Sequence, residues 1–462
     1  MGNFYGLRGT KLNIAIAIVA GTDFALFGYD QGVMGGLLTL NSFLRYFVRI
    51  HGMNTSTVPT WQSETSKSHR RGQMVMIEGS LIVFGVMLSY WIDLGFSFLD
   101  PSDVSWRFPI AFQILLAIFI VCLIPGLPES PRWLVLKGRE ARALEVLAAL
   151  SDLPEDDPKV QDEFKAVKDT VFEMARGSFA DSFKTNRNRN LHRTILAYVN
   201  QMFQQISGIN IITYYAATIF RNNIGMSGFM SRLLAALNGT EYFVASWVAI
   251  FTIEKFGRRK LMLFGAAGQA LSMAVLAGTT SVPGNASLGI AAAVFLFVFN
   301  SFFAVGWLGM TWLYPAEITP LDIRAPANAI STTANWIFNF MPVAFNAIQW
   351  KTYLVFAAIN AFMVPCVYFF FPETAYRSLE EMDEIFHQVK GLRGALTVVK
   401  VAREQPHRYG KNGELLIAWE ETEDARDVER RRSSIAPHGA AGAAEKVNGS
   451  SFENGGEKRE RL

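Results

Sequence analysis

Apolar runs of about 20 residues recur along this chain, each long enough to cross a hydrocarbon layer of about 30 Å as a helix. They predict spans near 12–34, 74–93, 107–127, 192–218, 231–253, 260–280, 286–312, 325–348 and 352–371. Charged residues make up 18% of the chain, below the roughly 25% usual in soluble domains. The expected class is an all-α polytopic membrane protein with the lipid bilayer as its solvent. A net charge of +3 is too small to suggest nucleic acid. There is no nucleotide loop, metal-ligand spacing or nucleophile elbow, so nothing supports an enzyme, a cofactor or a metal site. The first apolar run is not a secretory signal. It continues into "FALFGYDQGVMGGLL" without a small-residue cleavage pattern and holds two acids, Asp23 and Asp30. Cys122 and Cys366 both lie in apolar runs and are expected to be packing residues.

Basic residues crowd "KSHRRG", "SPRWLVLKGREAR", "KTNRNRNLHR", "EKFGRRK" and the C-terminal region, which places those segments in the cytosol. The tail after about residue 390 is polar and cannot bury enough apolar surface to order itself. Of the two sequons, at Asn54 and Asn285, only the second falls in an expected external loop.

An internal repeat organises the chain. One copy reads Glu64, Arg71, Trp106-Arg107 and "PESPRWL" from 128, with Glu129 and Arg132. The other reads Glu317, Arg324, Trp350-Lys351 and "PETAYRSL" from 372, with Glu373 and Arg377. Trp106 and Glu129 stand at the same separation as Trp350 and Glu373. Two homologous membrane halves in the same orientation are a transporter architecture, with the substrate between them near the midplane. The expected divisions are 1–134 (first half), 135–191 (cytosolic linker with amphipathic helices), 192–389 (second, six-helix half) and 390–462 (cytosolic, mostly disordered tail).

These motifs, with "GYDQGVMGG" (28–36), "QMFQQISGINIITYY" (201–215), "EKFGRRK" (254–260), "WLYPAEITPLDIR" (312–324) and "NWIFNF" (335–340), resemble the sugar porters of the major facilitator superfamily, especially fungal hexose transporters. The likeness covers about residues 12–390. It implies a twelve-helix fold, alternating access and a monosaccharide substrate, a hexose or pentose. The location it implies is the plasma membrane.

A sugar needs neutral donors and acceptors and aromatic faces in a dry site, since an unpaired buried polar group costs about 1–3 kcal/mol. Gln201, Gln204 and Gln205 share one helix face at i, i+3, i+4 spacing. Asn210 follows in the same apolar stretch, and Asn335 and Asn339 lie four apart in another. Trp312 and Trp336 offer rings. The resemblance assigns these positions, with Tyr214, to the sugar site. Amides of this kind also serve as bonds between neighbouring membrane helices. The resemblance further implies a cytosolic gate of Glu64, Arg71, Glu129, Arg132, Glu254, Arg258, Arg259, Glu317, Arg324, Glu373 and Arg377. Asp30, an acid inside a span, is the candidate for proton coupling, and its family partner is an arginine on the fourth helix.

The first half departs from the pattern. The interval from Asp30 to Glu64 is far shorter than that from Gln204 to Glu317, by the length of about three membrane helices. Against the family these are helices two, three and most of four, leaving about nine of twelve. The first copy also has no counterpart of "GRRK". Residues 37–63 hold Arg45, Arg49 and His51 without a long apolar run. Either the first helix inverts or that segment crosses irregularly. Gly79 stands where many sugar porters have a glutamine, beside Glu78. The leading function is monosaccharide transport, facilitated or proton-coupled. The alternatives are a transporter-like sugar sensor and an inactive product of a mis-spliced or mis-predicted gene.

Overall fold

The computed structural model describes residues 4–37, 71–282, 285–338, 350–377, 379–389 and 394–406. Among these described residues there is no strand, and 7 helices are long and apolar enough to cross a membrane.

Three membrane-length helices precede the linker: α1 (Gly9–Leu37), α2 (Arg71–Ser97) and α3 (Val104–Leu123). Each is predominantly apolar, so an α-helix is the conformation that satisfies its backbone in lipid. α1 and α2 approach backbone to backbone at Gly28 and Gly85, the close contact that small residues allow between membrane helices. α3 packs on both but leaves Phe108, Ile114, Leu115, Ile118 and Phe119 exposed, an outer face suited to lipid.

The linker forms α4 (Pro131–Leu136), α5 (Glu140–Ser151) and α6 (Pro158–Arg176). Ser130 caps α4 by accepting the N–H of Trp133 at 3.3 Å, with Pro131 at the first helical position, and Asp157 caps α6 beside Pro158. A separate apolar cluster joins Leu12 and Ile16 of α1 to Leu134, Val146 and Val171, so the linker is anchored to the first membrane helix.

The remaining helices are α7 (Asn190–Ile206), α8 (Ile209–Thr218), α9 (Gly228–Phe256), α10 (Arg258–Thr280), α11 (Ala286–Gly306), α12 (Met310–Ile318), α13 (Arg324–Ile337), α14 (Lys351–Phe370), α15 (Leu379–Gln388) and α16 (Gly394–Glu404). Two of the spans expected to be single helices are broken. The stretch 192–218 divides at Gly208, which has φ +101° and whose added Cβ would lie 2.6 Å from Met273 Cε. The stretch 286–312 divides between Gly306 and Met310. Breaks at membrane depth are tolerated where the backbone is buried in protein or lines a cavity. The main core runs through the second set of helices and takes in Met76, Val83, Val86, Tyr90 and Leu94 of α2. α2 therefore packs against α9 as well as α1. Cys122 corrects the packing expectation: it is exposed on α3, while Cys366 is half-buried on α14. Lipid-facing and core positions are equally apolar, so the sequence pattern does not separate them.

Candidate substrate site

One cavity lies between α1 and α2 on one side and α7, α8, α12 and α13 on the other. Its space is about 70 Å³, several times the roughly 10–15 Å³ that a single water needs. Gln204 and Gln205 enter from α7, Asn210 and Tyr214 from α8, Trp312 from α12, and Asn335 and Trp336 from α13. The break at Gly208 is what lets Gln205 and Asn210 meet across the end of one helix and the start of the next.

The amides already bond one another. Gln205 Nε2 donates to Gln204 Oε1 at 2.8 Å. Asn210 Nδ2 donates to Gln205 Oε1. Asn335 Nδ2 donates to Gln201 Oε1 at 2.7 Å and to Gln204 Oε1 at 3.1 Å. Gln201 is not a wall residue. It is buried behind the cavity, where its Nε2 donates to the Thr311 carbonyl at 3.0 Å. Beside it Asn200 donates to the Met310 carbonyl at 3.0 Å, so α7 and the broken α12 are held together by side-chain bonds. Asn339 lies outside the described residues.

Wall residues that the sequence pattern did not single out include Phe27 and Gln31 of α1, Ile82, Val83 and Val86 of α2, and Thr213 of α8. Phe27 and Gln31 are one helical turn apart, and Gln31 lies inside "GYDQG". An amide in an apolar run was the available signal. Asp30, next to Gln31, is not a wall residue.

The charged groups of the second repeat copy come together at the other end of these helices. Gly257, with φ +86°, turns α9 directly into α10. Arg258, 4% exposed, donates through Nη1 to Glu254 Oε2 at 2.7 Å and through Nη2 to Glu317 Oε1 at 2.8 Å. Thr374 Oγ1 donates to Glu317 Oε2 at 2.6 Å. Glu373 accepts the backbone N–H groups of Arg258 and Arg259 at 2.8 and 3.1 Å, at the start of α10, where a helix end carries partial positive charge. An added Cβ on Gly257 would sit 2.5 Å from Glu373 Oε2, so that approach requires glycine. Arg259 Nη2 donates to the Tyr368 carbonyl at 2.7 Å, and Arg324 Nη2 to the Thr319 carbonyl at 3.0 Å. Arg377 donates to the Ala402 and Gln405 carbonyls, capping the end of α16. Burial lowers its guanidinium pKa from the ordinary value, against the opposing pull of Glu381. All of these contacts lie within the second set of helices.

In the first copy the picture differs. Glu129 is exposed and Arg132 half-buried, and neither makes a hydrogen bond or ion pair to another described residue. Glu64 and the side chain of Arg71 lie outside the described residues.

A family profile described as "Sugar (and other) transporter" matches residues 49–386. The sugar transporter STL1 of Saccharomyces cerevisiae is 41% identical, over 83% of this chain and 82% of its own length. This chain belongs to the sugar transporter family. The transporter is an integral membrane protein, and its relatives are carriers, not enzymes. Hexose transporter 2 of Kluyveromyces lactis is 31% identical over 84% of this transporter and 70% of its own length. Among solved structures, the proton:xylose symporter XylE bound to 6-bromo-6-deoxy-D-glucose superposes with a TM-score of 0.58 at 21% identity. That match covers 81% of this transporter and 87% of the symporter, and it establishes the major facilitator fold.

Proposed function

We propose that the substrate of this transporter is a monosaccharide, a hexose or a pentose, bound at the cavity between α1–α2 and α7, α8, α12 and α13, and that carrying it by alternating access needs the helices its first half lacks. The supporting observation is the convergence of Gln204, Gln205, Asn210 and Asn335 with the Trp312 and Trp336 rings on one cavity. Amides donate and accept without charge, so they exchange bonds with hydroxyls at little cost. Indole faces pack on the weakly apolar faces of a sugar ring. The substrates named for the hexose transporter and the xylose symporter agree with this chemistry. The protein sits in the plasma membrane with its tail in the cytosol, following the basic segments. Asp30 carries the coupled proton, because an acid inside a span is costly unless it has such a role. The charged groups around Arg258, Glu317 and Glu373 form the cytosolic latch of the second half.

The first half is incomplete in this 462-residue chain, lacking three helices before Glu64. Two observations support this. Glu129 makes no bond to another described residue, whereas its counterpart Glu373 binds the start of α10. The alignment to the yeast relative runs over 471 positions while taking in 83% of a 462-residue chain, so it carries gaps on this chain's side.

Equilibrium binding of radiolabelled D-glucose and D-xylose to the purified protein tests the substrate. Saturable binding that the unlabelled sugar displaces is expected. Its absence in folded protein would reject the sugar.

A further inference from the structure

The cavity is lopsided. Its second-half wall is rich in amides, but these are engaged with each other: Gln204, Gln205, Asn210 and Asn335 form a connected chain of bonds. Gln204 Oε1 and Gln205 Oε1 already accept within that chain, which leaves Gln204 Nε2, Asn210 Oδ1 and Asn335 Oδ1 as the amide atoms outside it on this wall. The wall from α1 and α2 consists of Phe27, Gln31, Ile82, Val83 and Val86. All but Gln31 are hydrocarbon. Gly79 brings no side chain, and its Cα faces Leu308 and Gly309.

Gln31 is therefore the one hydrogen-bonding side chain on that wall among the described residues. It is half-buried and makes no hydrogen bond to another described residue. Its carbonyl and amino groups are both open to whatever fills the cavity. We propose that Gln31 is the contact through which α1 recognises a substrate hydroxyl and sets specificity for it. This rests on the sugar-transport function proposed above and adds a ligand to it.

Gln31 faces the substrate from the side opposite to the amide cluster, so a sugar bonded to both ties α1 to α7 and α8. A ligand shifts a conformational equilibrium only by its differential affinity for the two states. A contact from each wall supplies that difference. Gln31 is also the immediate neighbour of Asp30, so substrate contact and the proton site lie side by side on α1.

The test is a thermodynamic cycle on the purified protein. Affinities are measured for D-glucose and for its 1-, 2-, 3- and 6-deoxy analogues with the native protein, Gln31→Ala and the size-conserving Gln31→Met. Replacing Gln31 should weaken glucose about ten-fold, the loss typical of one uncharged hydrogen bond. One deoxy analogue should be about ten-fold weaker than glucose on the native protein yet equal to glucose on both variants, since the lost hydroxyl no longer has its partner. Penalties that stay the same for every analogue in both variants would overturn the assignment of Gln31 and leave the sugar function standing. A folded native protein that binds none of these sugars would overturn the sugar function and this contact with it. Gln31→Met conserves volume, so a folding defect confined to Gln31→Ala does not obscure the result.

Discussion

Glu373 accepts the N–H of Arg258 at 2.8 Å, although the two residues are 115 positions apart. The same carboxylate takes the N–H of Arg259. One acid just beyond the end of α14 thus fixes the start of α10, and the Arg258 side chain is left to reach Glu254 and Glu317. Replacing Glu373 with Gln keeps its size but removes the charge that favours a helix start. The expected loss is about 0.5–1 kcal/mol, read as a lower melting temperature of the purified protein. An unchanged melting temperature would show that the contact contributes nothing.

Arg258 is the more costly position. It is buried, and without it Glu254 and Glu317 face each other unneutralised. Breaking a fully buried pair costs about 3–5 kcal/mol. Glu254 and Glu317 side chains are 29% and 20% exposed, so Arg258→Met should cost about 2–3 kcal/mol, below that range. Chemical unfolding in detergent measures it. Arg258→Met combined with Glu317→Gln should recover part of the loss.

Gly208 is the pivot of the site. Gly208→Ala places a methyl group against Met273 and Phe356 in a backbone conformation that disfavours alanine. We expect about 1–3 kcal/mol of destabilisation together with weakened sugar binding, because Gln205 and Asn210 lose their alignment. Gln205→Ala, which removes the middle member of the amide chain, should weaken glucose binding about ten-fold with little change in expression. Equilibrium binding with both purified variants checks this. Normal binding in a destabilised Gly208→Ala would separate the pivot from the site, and unaltered affinity in Gln205→Ala would remove Gln205 from it.

How much of this was legible follows from what each feature leaves in the sequence. The helices were legible because lipid demands long apolar runs, and among the described residues those runs fall on helical segments. The breaks at Gly208 and after Gly306 were not, since a glycine in an apolar run fits an unbroken helix equally well. Gln204, Gln205, Asn210, Trp312, Asn335 and Trp336 stood out as polar or aromatic groups within spans, and they share a wall. Gln201 matched the same helical face but lies one layer behind it. Gln31 was overshadowed by Asp30 beside it. The bond from Glu373 to two backbone N–H groups leaves no side-chain signature at 258 and 259. The exposure of Cys122 is invisible to composition, because a helix face turned to lipid is as apolar as one turned to the core.

Proton coupling is checked in a chain with the helices proposed to be missing from its first half inserted. Sugar accumulation against a gradient should fall as external pH rises, and Asp30→Asn should abolish it while sugar exchange continues. Accumulation that persists in Asp30→Asn would place coupling elsewhere.

The most direct test of the whole account is sugar uptake by cells that lack their own hexose carriers. Two chains are compared at equal surface expression: the present chain, and a restored one with the three helices proposed to be missing inserted between Phe47 and Asn54. The account predicts saturable uptake of labelled glucose or xylose by the restored chain alone. Equally saturable uptake by the unrestored chain, or none by a restored chain that reaches the cell surface, would contradict it.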